Sequence, residues 1–152
     1  MASAVAVVGT LLGSGITHFF QSRATDRNER FARAERLRQE RIDAYCAYAG
    51  ALLDYRRILV HRWFVVHEGE RCAEDTPALR EEVYKNRYAA QEAMFRAQMV
   101  TEDAEILDRS ERVMAAVTEL HWAPDLEALT TLRTSTRQGI RDYIAATSRQ
   151  VR

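Results

Sequence analysis

Several residue types that mark particular protein classes are scarce in this sequence. Only two cysteines, Cys46 and Cys72, occur among 152 residues, so the chain lacks a disulfide framework and the close thiol spacing of a metal knuckle or redox motif. Basic and acidic side chains number 22 each, so no net field draws the molecule toward nucleic acid. We therefore expect free thiols in a reducing compartment and no nucleic-acid partner.

The residues that build common active sites also lack the necessary spacing. The histidines at positions 18, 61, 67 and 121 form neither a Glu-x-x-His nor a His-x-x-x-His pair, which are the usual metal-binding arrangements on helices. No Gly-Lys-Ser/Thr follows the N-terminal glycines, so there is no phosphate loop. Nothing near Cys46 indicates an activated thiol. The sequence predicts no enzyme activity, no metal or cofactor, and no small-molecule substrate.

Charge is missing altogether from residues 1–22 and begins at Arg23. A helix of about 20 residues rises roughly 30 Å, the thickness of the hydrocarbon layer, so we expect a transmembrane helix over residues 1–22. Gly9 and Gly13 form a small-xxx-small pair through which such helices self-associate. The alternatives are a cleaved signal peptide, which would normally open with basic residues, and a helix buried in a globular core.

Residues 23–41 follow as a strongly charged segment with seven arginines, four acids and neither proline nor glycine. Four of the arginines flank the anchor directly, and such positive flanks stay on the cytoplasmic side, where anionic headgroups attract them. The sequence thus predicts a single-pass protein of the bacterial inner membrane, with a charged juxtamembrane helix and a cytoplasmic body. The four flanking arginines, which are candidates for lipid contact, are Arg23, Arg27, Arg30 and Arg33.

From residue 42 to residue 152, apolar residues recur at spacings of three and four, and no stretch alternates apolar with polar. This pattern predicts an all-α fold, in which the N-terminal transmembrane helix continues into a small bundle of about four helices. Thr76 with Pro77 should begin the second helix, the third should begin near Thr101 and end before Pro124, and Asp125 should open the fourth. The expected core residues are Leu37, Ile42, Tyr45, Tyr48, Leu52, Tyr55, Ile58, Leu59, Val66, Leu79, Val83, Tyr84, Tyr88, Ala90, Met94, Phe95, Ala97, Ile106, Val113, Val117, Leu120, Leu129, Leu132, Ile140, Tyr143 and Ile144.

Two residues of the first bundle helix are candidates for interaction. Arg56 lies in an otherwise apolar seam, and a buried guanidinium requires a partner. We expect either a salt bridge to a facing acid or a side chain that extends to solvent, with a binding role as the alternative. Trp63 opens the apolar run of residues 63–66 (WFVV), which forms either bundle core or a patch for a partner.

Residues 5–13 (VAVVGTLLG), 37–41 (LRQER) and 51–57 (ALLDYRR) resemble segments of the short actinobacterial proteins labelled KilB-like, which are associated with conjugative plasmids of mycelial bacteria. The resemblance implies a membrane-bound factor concerned with plasmid transfer or spread between cells, and harmful to the host when unregulated. It supplies no catalytic residues.

Two functional hypotheses follow from the sequence. In the first, the protein is a membrane-anchored helical interaction module that docks another protein or a copy of itself and assists plasmid transfer. In the second, it is a membrane-perturbing or lysis-type factor that acts through its small-residue-rich N-terminal helix. The first depends on the bundle, whereas the second depends on residues 1–22.

Overall fold

The computed structural model describes the backbone of residues 2–67 and 75–151, and the side chains of residues 27–67 and 75–151. The α-helices in this part of the chain are α1 (Ala2–His67), α2 (Pro77–Met99), α3 (Ala104–Glu119) and α4 (Leu126–Gln150). A 3-10 turn at Leu120–Trp122 follows α3, and no strand occurs within the described ranges. The prediction of an all-α fold with about four helices is confirmed.

The chain divides into two compact units, Met1–Gln39 and Glu40–Arg152. All described side chains of the first unit are exposed. Arg33 pairs there with Glu29 at 3.2 Å, an arrangement four residues apart that stabilises a solvated helix by a few tenths of a kcal/mol. Leu37 is exposed as well, and its assignment to the core is wrong. Within the described chain, the buried core begins only at Tyr45.

No helix within the described residues is apolar over a length sufficient to cross a membrane. The predicted transmembrane helix, residues 1–22, falls among residues whose side chains the structure does not describe. The candidate self-association pair Gly9 and Gly13 and the flanking Arg23 also lie within residues 1–26, outside the part of the chain whose side chains are described.

Side-chain caps fix where the helices of the second unit begin. The hydroxyl of Thr76 accepts a hydrogen bond from the backbone N–H of Leu79, and Pro77 occupies the first helical position, as predicted. Asp103 caps α3 and Asp125 caps α4 through their carboxylates, which also favour the positive end of the helix. The α3 chain leaves helical geometry before Pro124, as expected.

The four helical segments of the second unit run alternately up and down. The part of α1 that belongs to this unit, residues 40–67, is called the α1 segment. At one end of the bundle, the start of the α1 segment contacts the ends of α2 and α4. At the other end, the end of the α1 segment contacts the chain that follows α3. The arrangement is an antiparallel four-helix bundle. These contacts are Arg41 Nε to the Val100 carbonyl (2.9 Å), Tyr45 Oη to Gln150 Oε1 (3.0 Å) and Trp63 Nε1 to the Ala123 carbonyl (2.8 Å).

The core of the bundle is built largely from the residues that the helical periodicity predicted. Tyr48, Leu52, Leu129 and Tyr143 are fully buried, and the rings of Tyr48 and Tyr143 meet edge to face. Burying side chains of this size contributes about 1.5–3 kcal/mol each before the entropy of ordering is counted. The other predicted residues that are buried are Tyr45, Tyr55, Ile58, Leu59, Val83, Ala90, Met94, Ala97, Ile106, Val113, Val117, Leu120 and Ile140.

Five further residues that the pattern placed in the core are exposed instead. On α2 the buried positions are Val83, Ala90, Met94 and Ala97, which form a single face. A helix that packs on one side buries only a stripe of its surface, so apolar residues beyond that stripe remain in solvent. The exposed residues are Val66, Tyr84, Tyr88, Phe95 and Ile144, and their assignment to the core is wrong.

Candidate functional site

The outward face of α2 carries a row of large apolar side chains. Tyr84, Tyr88, Phe95 and Met99 are 59%, 68%, 56% and 85% exposed. Because successive helical residues turn by roughly 100°, these four positions fall within about 60° of one another around the axis and extend over about 22 Å. We call these four residues the α2 stripe.

Isolated apolar side chains are common on protein surfaces, but an aligned group is not. The α2 stripe contains three aromatic rings and a methionine, which are side chains enriched at the centres of protein interfaces. They stay mostly in solvent although the opposite face of the same helix packs against the bundle. The arrangement suits docking of another helix or apolar surface.

One end of the α2 stripe opens into a cleft with basic walls. The cleft has a volume of about 280 Å³ and lies between α1, α2 and the 3-10 turn. Tyr84 and Trp122, which is 71% exposed, form its aromatic rim. The arginine and histidine side chains that line it are Arg62, Arg80, Arg87 and His121.

Within this cleft, the guanidinium of Arg62 is already bound to other side chains of the protein. Its Nε and Nη2 donate to the two carboxylate oxygens of Asp75, each at 3.0 Å, and this ion pair holds the pKa of Asp75 below its ordinary value. Its Nη1 lies 3.1 Å from Nδ1 of His121. Since a guanidinium only donates, Nδ1 must accept, and His121 is therefore neutral. Burial, followed by the charge of Arg62, lowers the pKa of His121. The contacts of Arg62 with Asp75 and His121 connect α1 to the residue before α2 and to the 3-10 turn.

Arg56 is held by neutral groups and does not form the salt bridge that was one of the expectations for it. Its Nε donates to the hydroxyl of Thr136 at 3.1 Å, and its Nη2 donates to the backbone carbonyl of Arg133 at 2.9 Å. Burial and the charges of Arg133 and Arg137 lower the pKa of Arg56. The salt bridge does not form because α4 has no acid on the turn that faces Arg56, which sits beside other cations instead.

Trp63 belongs to the core and is not part of an exposed patch. The side chain is 5% exposed, and its indole N–H donates to the carbonyl of Ala123 at 2.8 Å. Its ring stacks on His67 with centroids 4.1 Å apart and meets Phe64 edge to face. Trp63 thus fastens the end of the α1 segment to the chain after α3.

Of the four arginines predicted to flank a membrane, the structure describes the side chains of three. Arg27, Arg30 and Arg33 are exposed, and Arg33 is paired with Glu29. Nothing in these contacts bears on lipid, so lipid contact stays a prediction.

The sequence pattern missed the α2 stripe because it assigned Tyr84, Tyr88 and Phe95 to the core. One feature of the sequence does indicate that these aromatic residues are exposed. The small residues Ala90 and Ala97 allow close approach of a neighbour on one face of α2, and the aromatic residues belong to a different face.

Residues 42–151 match the family model of the KilB plasmid transfer protein. Comparisons with curated proteins and with solved structures gave no match. The matched range contains α2, α3, α4 and the segment 51–57 that carried part of the resemblance. Because the match covers well over half of the chain, this protein belongs to the KilB plasmid transfer protein family.

Proposed function

We propose that this protein acts in plasmid transfer as a membrane-tethered module that assembles with a second copy of itself through the α2 stripe. The observation that carries the proposal is the alignment of Tyr84, Tyr88, Phe95 and Met99 on one exposed helix face. Residues 1–22 are the tether, because they are uncharged and long enough to span the hydrocarbon layer. The arginine-rich segment that follows keeps the bundle on the cytoplasmic side.

The order of residues along the α2 stripe suits contact with an identical partner. Tyr88 and Phe95 are equally distant from the midpoint between Gln91 and Glu92, and Tyr84 and Met99 are also equally distant from it. A two-fold contact requires that residue i of one copy meets residue j of the other and the reverse. Two antiparallel α2 helices centred on this midpoint would therefore juxtapose Tyr88 with Phe95 and Tyr84 with Met99.

The paired side chains are chemically compatible. Two aromatic rings favour an offset or edge-to-face contact, and a methionine sulfur favours the edge of a ring, each with about 0.5–1.5 kcal/mol beyond burial of area. With about 150–250 Å² for each buried aromatic side chain, the exposed fractions of both copies amount to on the order of 1,000 Å², about the minimum for a biological interface.

The tether favours the same assembly. Confining both copies to one membrane raises their effective concentration, so a contact of modest area suffices for association. A Gly9–Gly13 contact between anchors would add a second point of attachment. The membrane-perturbing hypothesis depends on residues 1–22 alone, and no observation on the described residues favours it.

The test compares the mass of the full-length protein in detergent micelles, by light scattering or sedimentation, with that of two variants. We expect a dimer for the wild type and a monomer for Tyr88→Glu/Phe95→Glu, because two carboxylates from each copy would be buried at the contact. Leu53→Glu, on an exposed apolar residue of α1, is the matched control and should stay dimeric. Circular dichroism verifies that each variant remains helical.

The same variants connect the assembly to plasmid transfer. The charged stripe variant should lower the frequency of plasmid transfer between mating cells, whereas Leu53→Glu should not. A wild-type monomer over the whole concentration range would contradict the proposal, and so would a stripe variant that remains dimeric.

A further inference from the structure

The outward side of α4 concentrates positive charge in a chain whose net charge is zero. Residues 128–141 contain three arginines and no acidic residue. Arg133, Arg137 and Arg141 follow one another at intervals of four, so they lie on one side of the helix about 6 Å apart along its axis. All three side chains are exposed.

These arginines differ from three arginines of α2 and α3 that form ion pairs. Each of those three follows an acid by four residues and pairs with it, whereas Arg133, Arg137 and Arg141 form no ion pair within the part of the chain that the structure describes. The paired examples are Arg96 with Glu92 (3.1 Å), Arg109 with Glu105 (2.6 Å) and Arg112 with Asp108.

Arg56 of α1 adds a fourth guanidinium at the edge of this row. Its hydrogen bonds to the Thr136 hydroxyl and the Arg133 carbonyl hold it against α4. Burial, followed by the charges of Arg133 and Arg137, lowers the pKa of Arg56. Four cations thus gather without a protein counterion among the described residues, an arrangement that an external anion would stabilise.

The surface beside Arg137 and Arg141 is shallow and polar. Threonine, serine and glutamine side chains line a depression of about 670 Å³ together with Arg137 and Arg141. The nearest acid along α4, Asp142, accepts a hydrogen bond from Gln138 at 2.8 Å. The polar residues of the lining are Thr130, Thr131, Thr134, Ser135 and Gln138.

This chemistry matches a row of phosphates better than a lipid surface. Arginine, serine, threonine and glutamine are the side chains that contact phosphate oxygens in nucleic-acid complexes. A helix that lies on a membrane buries an apolar face among the acyl chains, and no large apolar side chain lines this depression. The zero net charge of the whole chain predicted no nucleic-acid partner, but contact with phosphates depends on the local charge of the surface that makes it, and this surface is positive.

We propose that Arg133, Arg137 and Arg141 of α4, with Arg56 at their edge, bind the phosphodiester backbone of DNA. The contact is made to phosphates, so it carries no sequence preference and weakens steeply with salt. A tethered protein with this face would hold DNA close to the membrane.

The test measures binding of the full-length protein, in uncharged detergent, to a labelled random-sequence DNA duplex at several salt concentrations. Arg133→Gln/Arg137→Gln/Arg141→Gln should bind at least about tenfold more weakly at low salt. The slope of log affinity against log salt should fall by about three, one for each lost phosphate contact. The matched control is Arg96→Gln/Arg109→Gln/Arg112→Gln, which removes the same charge from ion-paired arginines and should change affinity less than twofold.

Three results would overturn this inference. The first is a wild type that does not bind DNA at low salt. The second is an equal loss in both triple variants, which would show an effect of net charge alone. The third is wild-type binding to phosphatidylglycerol vesicles that the α4 variant loses while its DNA binding is unchanged, which would assign the face to lipid. The dimer mass of the α4 variant should equal that of the wild type, so this test stands apart from the α2 stripe.

Discussion

Tyr48 and Tyr143 pack edge to face in the centre of the bundle, with ring centroids 5.2 Å apart, but of the two hydroxyls only that of Tyr48 has an acceptor among the described residues. The Tyr48 hydroxyl donates to the carbonyl of Ser110 at 2.7 Å. The buried Tyr143 hydroxyl has no hydrogen-bond partner within the described chain. Burial raises the pKa of both phenols, so both stay protonated. One buried hydroxyl therefore stabilises the fold, and the other costs free energy.

The two tyrosines should accordingly respond in opposite directions to loss of the hydroxyl. Tyr143→Phe removes an unsatisfied polar group and should raise the free energy of unfolding by about 1 kcal/mol. Tyr48→Phe removes a satisfied hydrogen bond and should lower it by about 1 kcal/mol. Urea denaturation followed by circular dichroism measures both, and equal destabilisation by the two changes would show that Tyr143 is hydrogen-bonded.

The ion pair between Arg62 and Asp75 should contribute measurably to stability. Its geometry is bidentate and both side chains are mostly shielded from solvent, at 18% and 28% exposure. Asp75→Asn should lower the free energy of unfolding by about 1 kcal/mol, a discounted value because the pair is not fully buried. Asp54→Asn is the control, since its carboxylate lies 3.7 Å from Arg57 in an exposed pair and should matter little.

His121 should make stability depend on pH near neutrality. Its pKa is lower in the folded protein than its ordinary value of 6.5. As the pH falls through 6.5, the unfolded chain takes up a proton that the folded chain does not, so the free energy of unfolding decreases. His121→Gln should flatten the decrease between pH 7.5 and pH 5.5 in urea denaturation.

Asp75 acts in the same direction but at lower pH. Its folded pKa lies below its ordinary value of 3.8, so its contribution is complete above that value and is lost as the pH falls below it. A decrease between pH 7.5 and pH 5.5 that is equally steep in wild type and His121→Gln would contradict the role given to His121.

Trp63 should be a structural residue whose loss lowers stability without removing assembly. Trp63→Phe leaves the Ala123 carbonyl without its donor and leaves space beside His67, and we expect a loss of about 1–3 kcal/mol. Thermal unfolding of the full-length protein measures the loss, and the dimer mass should persist below the transition. Dissociation of a still folded Trp63→Phe variant would indicate that Trp63 belongs to the interface instead.

The tether predicts where the protein sediments. The full-length chain should pellet with membranes and resist extraction by high salt, whereas a chain without residues 1–22 should stay in the supernatant. A full-length chain that stays in the supernatant after high-speed centrifugation without detergent would contradict the tether.

The parts of the fold that depend on local chemistry could be predicted from the sequence. Thr76 with Pro77, and Pro124 with Asp125, mark helix ends because caps and proline act on their immediate neighbours. The buried faces of α1, α3 and most of α4 follow from the spacing of apolar residues. These local signals do not depend on which helix packs against which.

The candidate surfaces depend on which helices meet, and the sequence does not contain that information in any local pattern. Tyr84 and Tyr88 are apolar enough for a core, and they are exposed only because no helix of the described chain covers that face of α2. Arg56 lacks an acid because α1 packs against the acid-free part of α4, which carries Arg133. The packing of segments that are distant in the sequence therefore determines both the exposure of the two tyrosines and the absence of an acid beside Arg56.

Self-assembly through α2 is the central claim, and site-directed cross-linking tests it most directly. In a full-length chain that carries Cys46→Ser and Cys72→Ser, a cysteine at Gln91 would lie beside the two-fold axis, whereas one at the exposed Ala89 would point away from it. Mild oxidation or a short thiol cross-linker in isolated membranes should therefore join two Gln91→Cys chains efficiently and leave Ala89→Cys chains single. Equal cross-linking at both positions, or none at Gln91→Cys, would contradict the account.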